Sequence, residues 1–183
     1  MPYAPRLESN SLYLRGLDHE DVTETYCEWL NHPLVNRYLE TRYKIQTIDD
    51  INNFITNKNQ SIDERLFGIF IKEQNKHIGN IKLGPVQNPH KLAEISLFIG
   101  DTSEWGKGYA TEAISIVTDY AFNELHMNKL IASMYAEIQA STRAFISAGW
   151  EEEARLKEHY LHDGKTMDLI IVGITARRFF NKS

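Results

Sequence analysis

Apolar and polar positions alternate over residues 11–17, with Leu12 and Leu14 on one side and Tyr13 and Arg15 on the other, which predicts an opening strand. The period then lengthens. Asp18 can cap a helix over residues 19–30, and Asp21 completes a carboxylate-rich first turn. Asn31-His32-Pro33 interrupts it, and a second short helical stretch runs through Leu39. Thr47 can cap a third helix, with Ile51, Phe54 and Ile55 on one face.

The middle of the chain returns to a strand period. Residues 66–71 and 77–83 read as strands around a Glu73-Gln74-Asn75-Lys76 turn. Asn88-Pro89-His90-Lys91 makes another turn, and residues 92–100 are a third strand of this antiparallel meander. A helical pattern over 112–125 follows, then a strand over 129–136 and a helix over 141–147 that Gly149 closes. Residues 156–162 and 166–175 flank Asp163-Gly164-Lys165, a hairpin turn. The order predicts a mixed α/β (α+β) fold in one domain over 1–183, with no repeat and no linker.

Composition narrows the class. Apolar content is 42% and charged content 25% over 183 residues, as in a globular domain with a sizeable core. No apolar run approaches the roughly 20 residues of a membrane span, and the first residues lack a signal-peptide core. The net charge of −5 argues against a general nucleic-acid surface, and a cationic substrate is compatible with it. A single cysteine, Cys27, excludes an internal disulfide framework and fits a reducing, cytoplasmic setting. No His or Asn signature frames it as a nucleophile, so it reads as a buried helical thiol.

Where the third meander strand hands over to a helix, the chain reads Trp105-Gly106-Lys107-Gly108-Tyr109-Ala110-Thr111. Strand, glycine loop and helix N-terminus together make a nest of backbone N–H groups for a phosphate. A tight turn that needs glycine for its dihedrals is the alternative. Gly106 and Gly108 leave the backbone unobstructed, Ala110 keeps the first turn small, Thr111 offers a hydroxyl, and Lys107 adds charge or is simply solvated. A Walker loop fails because Gly108 follows Lys107. A dinucleotide fingerprint is disfavoured, because Thr111 stands where the third glycine belongs and an antiparallel meander precedes the loop.

These residues resemble the acetyl-CoA pyrophosphate loop of the GNAT acetyltransferases, and the likeness extends along nearly the whole chain. Leu12-Tyr13-Leu14-Arg15 is similar to the family's first strand, and Trp29-Leu30-Asn31-His32-Pro33-Leu34-Val35 to a helix-and-turn segment of its ribosomal-protein N-terminal branch. Residues 93–99 resemble the fourth strand, and 141–150 the helix ending in Gly-Phe, with Trp150 in place of Phe. The segment 29–40 also resembles amino-sugar acetyltransferases. The resemblance implies a single GNAT-type domain: a mixed central sheet with an antiparallel meander, splayed fourth and fifth strands, and flanking helices. Trp105 is taken as standing at the family's Gln/Arg position, Ile138 at its Asn, and Phe145 at the Tyr that protonates the leaving thiolate.

The implied reaction is direct attack of a primary amine on the thioester of acetyl-CoA, with no metal. Pantetheine would lie along Leu97, Phe98 and Ile99 and near Phe145, the pyrophosphate on Trp105 to Thr111. Deprotonating a lysine-like amine at pH 7 costs about 4–5 kcal/mol, an α-amine about 1. Glu94 is the candidate base, its alternative a solvent-facing strand residue. Ser141 is the candidate thiolate donor and also a candidate helix cap, with Tyr135 and Tyr160 in reserve. Trp29, Arg37 and Tyr160 are the acceptor-side candidates; Arg37 holds an acceptor anion or makes a surface ion pair. His159, His162 and Asp163 are rejected as metal ligands, since the chemistry needs none. The acceptor expected is a protein N-terminal amine or an amino-sugar nucleotide, with a polyamine as alternative. The competing class is a non-catalytic acyl-CoA sensor. Neither nucleic acid nor membrane is expected as a partner; a homodimer is compatible with the reading.

Overall fold

Two adjacent capping signals, Asp18 and Thr23, break the first predicted helix in two. The computed structural model describes residues 4–181. Strand β1 (Leu7–Glu8) pairs with β2 (Leu12–Gly16), and β2 continues antiparallel onto β3 (Arg65–Ile71), with Leu14 opposite Ile69. Asp18 caps only a single 3-10 turn, His19–Asp21. The Arg15 guanidinium grips both Asp21 oxygens at 2.6 and 2.7 Å, which fixes that turn against β2. Thr23 then starts helix α1 (Glu24–Asn31) by accepting the Tyr26 N–H. His32-Pro33 opens the one-turn α2 (Pro33–Asn36), shorter than the expected stretch. Thr47 and Asp50 form a capping box at the start of α3 (Ile48–Gln60), as read.

The chain packs as two compact units. The first comprises the residues through Lys82 together with Leu97–Tyr109. Its core joins Tyr13, Leu17, Tyr26, Leu30, Ile51, Ile55, Leu66 and Phe70. Phe54, expected on the same helix face, is 42% exposed and lies under Lys58 instead. Strand β3 leads through the expected turn into β4 (Lys76–Leu83). Glu64 lies between Lys82, at 2.7 Å, and Lys58. Burial pushes its carboxyl up, but the two ammonium groups outweigh this and hold it below the usual range. A depressed folded pKa stabilises above the unfolded value, and the benefit is lost as pH falls through the folded one. Wild type is therefore expected to lose melting temperature more steeply than Glu64→Gln below about pH 4.5. Parallel acid titrations of the two proteins would contradict this.

The second unit comprises Leu83–Ser96 and the chain from Ala110 on. Strand β5 (Leu92–Ile99) and helix α4 (Tyr109–Asn123) enter it from opposite sides of the glycine loop. Helix α4 buries Ala113, Ile114, Val117, Ala121 and Phe122 along one stripe. Strand β6 (Lys129–Tyr135) runs parallel to β5 for only three pairs, ending at Glu94 and Ile131. Past that point Ile95 and Ser96 make no ladder with β6, whose other edge stays fully paired to β8 (Lys165–Thr175). β5 and β6 correspond to the expected fourth and fifth strands, because β1 adds one to the count. Helix α5 (Gln139–Ser147) follows β6, and β7 (Glu151–His162) pairs antiparallel with β8. Asp163 and Gly164 turn that hairpin with φ of 49° and 76°. α6 (Ala176–Phe180) closes over α4, with Phe179 against Phe122 at 5.0 Å. The mixed α/β sheet with flanking helices is the fold class the pattern predicts.

Candidate functional site

The glycine loop is held from below and open above. Asp101 caps the 3-10 turn Thr102–Glu104 by accepting the Ser103 N–H and hydroxyl. The Trp105 indole N–H donates to the Ile99 carbonyl at 2.8 Å, tying the loop back to the end of β5. Glu104, 6% exposed, accepts Lys107 at 2.7 Å and Lys76 at 2.9 Å, and Lys76 also reaches Asp101 at 2.7 Å. Lys107 and Lys76 hold the Glu104 carboxyl below its usual range. Lys107 is exposed along about half of its side chain, but its ammonium is already paired with Glu104.

Gly106 and Gly108 adopt φ of +77° and +88°, where an L side chain is strained. A Cβ at either would meet nothing within 4 Å. The space over the loop therefore fits a group that approaches the backbone closely. Helix α4 starts at Tyr109, three residues before the expected start, so Ala110 and Thr111 lie in its first turn with the N–H groups that have no intrahelical partner. One expectation needs correcting. The family's Gln/Arg stands three residues ahead of the first glycine, and that residue is Ser103, not Trp105.

In the second unit, Glu94 sits on β5 between the buried Ala93 and Ile95, on the opposite face from both. Its backbone carbonyl accepts the Gly84 N–H at 2.8 Å, and its carboxylate has no partner among the described residues. Ser141 is not a cap. Ile138 occupies the N-cap position without a side-chain bond, and Ser141 lies inside α5 with its hydroxyl unpartnered among the described residues. Ser141→Ala is accordingly expected to change stability by less than about 0.5 kcal/mol. A drop of about 1 kcal/mol or more, as for a lost cap, would restore the capping role.

Phe145 is 1% exposed and packs edge-on against Trp150 at 4.8 Å, and the Trp150 indole donates to Thr118. Its ring belongs to the core around α5. Gly149, with φ of +93°, closes that helix as read. Tyr160 on β7 lies 4.7 Å from Tyr135 at the end of β6.

Trp29 is placed in the first unit, its ring so close to the Gly100 backbone that a Cβ there would fall 2.2 Å from it. It lines a cavity of about 340 Å³ together with Phe70, His77, Glu20 and the Arg15–Asp21 pair. The sequence reasoning missed all of these but Trp29; the one visible trace was the acidic start of the first helix. Arg37 is not among the residues lining that cavity, and its guanidinium lies 5.2 Å from the Tyr38 ring. Cys27 is half-buried rather than buried, and its thiol donates to the Gln46 carbonyl. Burial raises its pKa, which keeps it protonated and a poor nucleophile.

Among the described residues, no group of three or more His, Cys, Asp or Glu is placed to hold a metal ion, and no helix is long and apolar enough to cross a membrane.

The family model of the acetyltransferase (GNAT) domain matches residues 11–151. The N-acetyltransferase p20 of Bacillus licheniformis is 25% identical over 182 residues, covering 94% of this chain and 97% of that one. A spermidine N(1)-acetyltransferase of Vibrio cholerae is 23% identical, covering 96% of this chain and 99% of that one. Among solved structures, the Vibrio cholerae spermidine N-acetyltransferase in complex with CoA and spermine superposes with a TM-score of 0.83 at 23% identity, over 94% of this chain and all of that one. An acetyltransferase from Bacillus anthracis gives 0.82 at 22% identity, over 94% and 99%.

Proposed function

Since the chain belongs to the GNAT acetyltransferases and is an acetyl-CoA-dependent N-acetyltransferase, we propose that its acceptor is the primary amine of a small polyamine and that its own residues divide the chemistry as follows. The observation that carries the donor side is the open turn at Gly106 and Gly108 in front of α4. Its backbone N–H groups hold the pyrophosphate of acetyl-CoA, with Trp105, Lys107, Tyr109, Ala110 and Thr111 completing the loop. Leu97, Phe98 and Ile99, beyond the last pair that β5 makes with β6, hold the pantetheine arm. Phe145 acts from the core, as the packing that supports this wall rather than as a proton donor.

The amine nitrogen attacks the thioester carbon, the C–S bond breaks, and the thiolate takes a proton. Glu94 removes the proton from the ammonium, directly or through water. Its unpartnered carboxylate supports that role. Ser141 donates to the departing sulfur, and its unpartnered hydroxyl supports that. Trp29 and Tyr160 are assigned to binding of the acceptor. Arg37 is left without a role, since a polyamine has no anion for it.

The polyamine reading rests on relatives named for spermidine, a choice that replaces the protein N-terminal and amino-sugar acceptors as the first expectation. A free thiol at Cys27 supports a reducing, cytoplasmic setting. Thiol release from acetyl-CoA with spermidine, N-terminal peptides and amino-sugar nucleotides as acceptors decides among them. Spermidine is expected to give the highest kcat/KM. A peptide or sugar nucleotide exceeding it would overturn the choice of acceptor. Sedimentation velocity on the same sample tests for a homodimer.

A further inference from the structure

The cavity in the first unit has leftover chemistry that the loop and its mechanism do not use. Five charged side chains line it, and four of them are matched: Arg15 with Asp21, and Lys76 with Asp101. The fifth, Glu20, is exposed and has no ion-pair partner among the described residues. The unmatched charge is therefore a carboxylate.

His77 supplies a second unmatched group. Its Nε2 lies 3.0 Å from the Gly79 carbonyl and 2.8 Å from Asn80 Oδ1. The carbonyl can only accept, so Nε2 carries the hydrogen. Asn80 in turn donates to the Tyr26 hydroxyl at 2.6 Å, which locks the ring's orientation. Burial lowers the imidazole pKa, and the ring is neutral at pH 7. Nδ1 is then a bare acceptor with no partner among the described residues. Trp29 completes the cavity wall, edge-on to His77 at 5.2 Å, while the two faces of Phe70 are taken by Tyr13, stacked at 4.9 Å, and by His77, stacked at 4.8 Å.

An unpaired carboxylate and an unpaired nitrogen acceptor beside the Trp29 ring call for the same partner. That partner is a donor-rich cation. An anion would be repelled by Glu20, and a neutral apolar ligand would leave the buried His77 Nδ1 without a donor. We propose that this cavity is a binding site for an alkylammonium group, and that the group is one of the ammonium ends of the polyamine acceptor. The second clause rests on the acceptor reading above; the first does not.

The test separates the two. Binding of spermidine to the full protein is measured by calorimetry, and KM for spermidine and for a simple monoamine by thiol release, in wild type, Glu20→Gln and Glu20→Lys. Glu20 is exposed on a single turn, so both variants are expected to fold with unchanged melting temperature. Loss of one exposed ion pair is expected to weaken spermidine binding about five-fold in Glu20→Gln, and charge reversal to weaken it further. KM for spermidine should rise in step, and KM for the monoamine should rise less. Spermidine binding unchanged in both variants overturns the site. Binding weakened as expected, with no turnover of spermidine by wild type, keeps the ammonium site and overturns the polyamine acceptor.

Discussion

Gly108→Ala raises the KM for acetyl-CoA about ten- to a hundred-fold and leaves the fold nearly intact. The backbone at Gly108 has φ of +88°, and placing an L residue there costs about 1–2 kcal/mol. The added methyl meets nothing within 4 Å, so no clash adds to that cost. For a chain of this length the melting temperature should fall by roughly 2–8 °C. The effect on the donor is larger because the methyl enters the space over the loop. There it displaces an anion from N–H donors whose charge-assisted hydrogen bonds are worth about 1.5–3 kcal/mol each. Gly106→Ala should act in the same direction. An unchanged KM for acetyl-CoA in both variants would remove the loop from the donor site.

Glu94→Gln is expected to lower kcat/KM by about a hundred-fold or more with an alkylamine acceptor. The size depends on the acceptor in a way that identifies the role. At pH 7 an alkylammonium needs about 4–5 kcal/mol to give up its proton, an α-ammonium about 1. A lost base therefore harms spermidine far more than a peptide α-amine. Raising the assay from pH 7 to 9 multiplies the free alkylamine about a hundred-fold and should restore much of the variant's rate. Equal losses with both acceptors, without recovery at high pH, would make Glu94 a positioning residue. Full activity would leave it a strand residue only.

Local signals were legible and long-range ones were not. Strands β3, β4 and β8 follow from alternation and from turns at Glu73 to Lys76 and at Asp163-Gly164. The capping box at Thr47 and the left-handed Gly149 were equally plain. The first helix was misread because Asp18 and Thr23 are both good caps, and only the grip of Arg15 on Asp21 decides that the chain turns between them. Phe54 has the right spacing for the core, but the face buried around Ile51 and Ile55 is narrower than the pattern allows. The capping half of the Ser141 reading rests on serine being a usual N-cap, but α5 begins two residues earlier, at Gln139.

The glycine loop is contiguous, so its chemistry could be read directly. The cavity is built from Arg15, Glu20, Trp29, Phe70, His77 and Asp101, drawn from five separate segments. Strand register and helix packing bring them together, and neither is written in any one stretch of sequence.

The ion pairs beneath the glycine loop set the thermodynamic character of donor binding. Fixing one residue's backbone costs about 1–2 kcal/mol of conformational entropy. Residues 99–107 are already fixed by the Trp105 indole, by Asp101 and by the pairing of Glu104 with Lys76 and Lys107. That ordering is completed when the chain folds, before any donor arrives. Acetyl-CoA thus meets a rigid cradle, and its association should proceed in one kinetic phase without a slow ordering step.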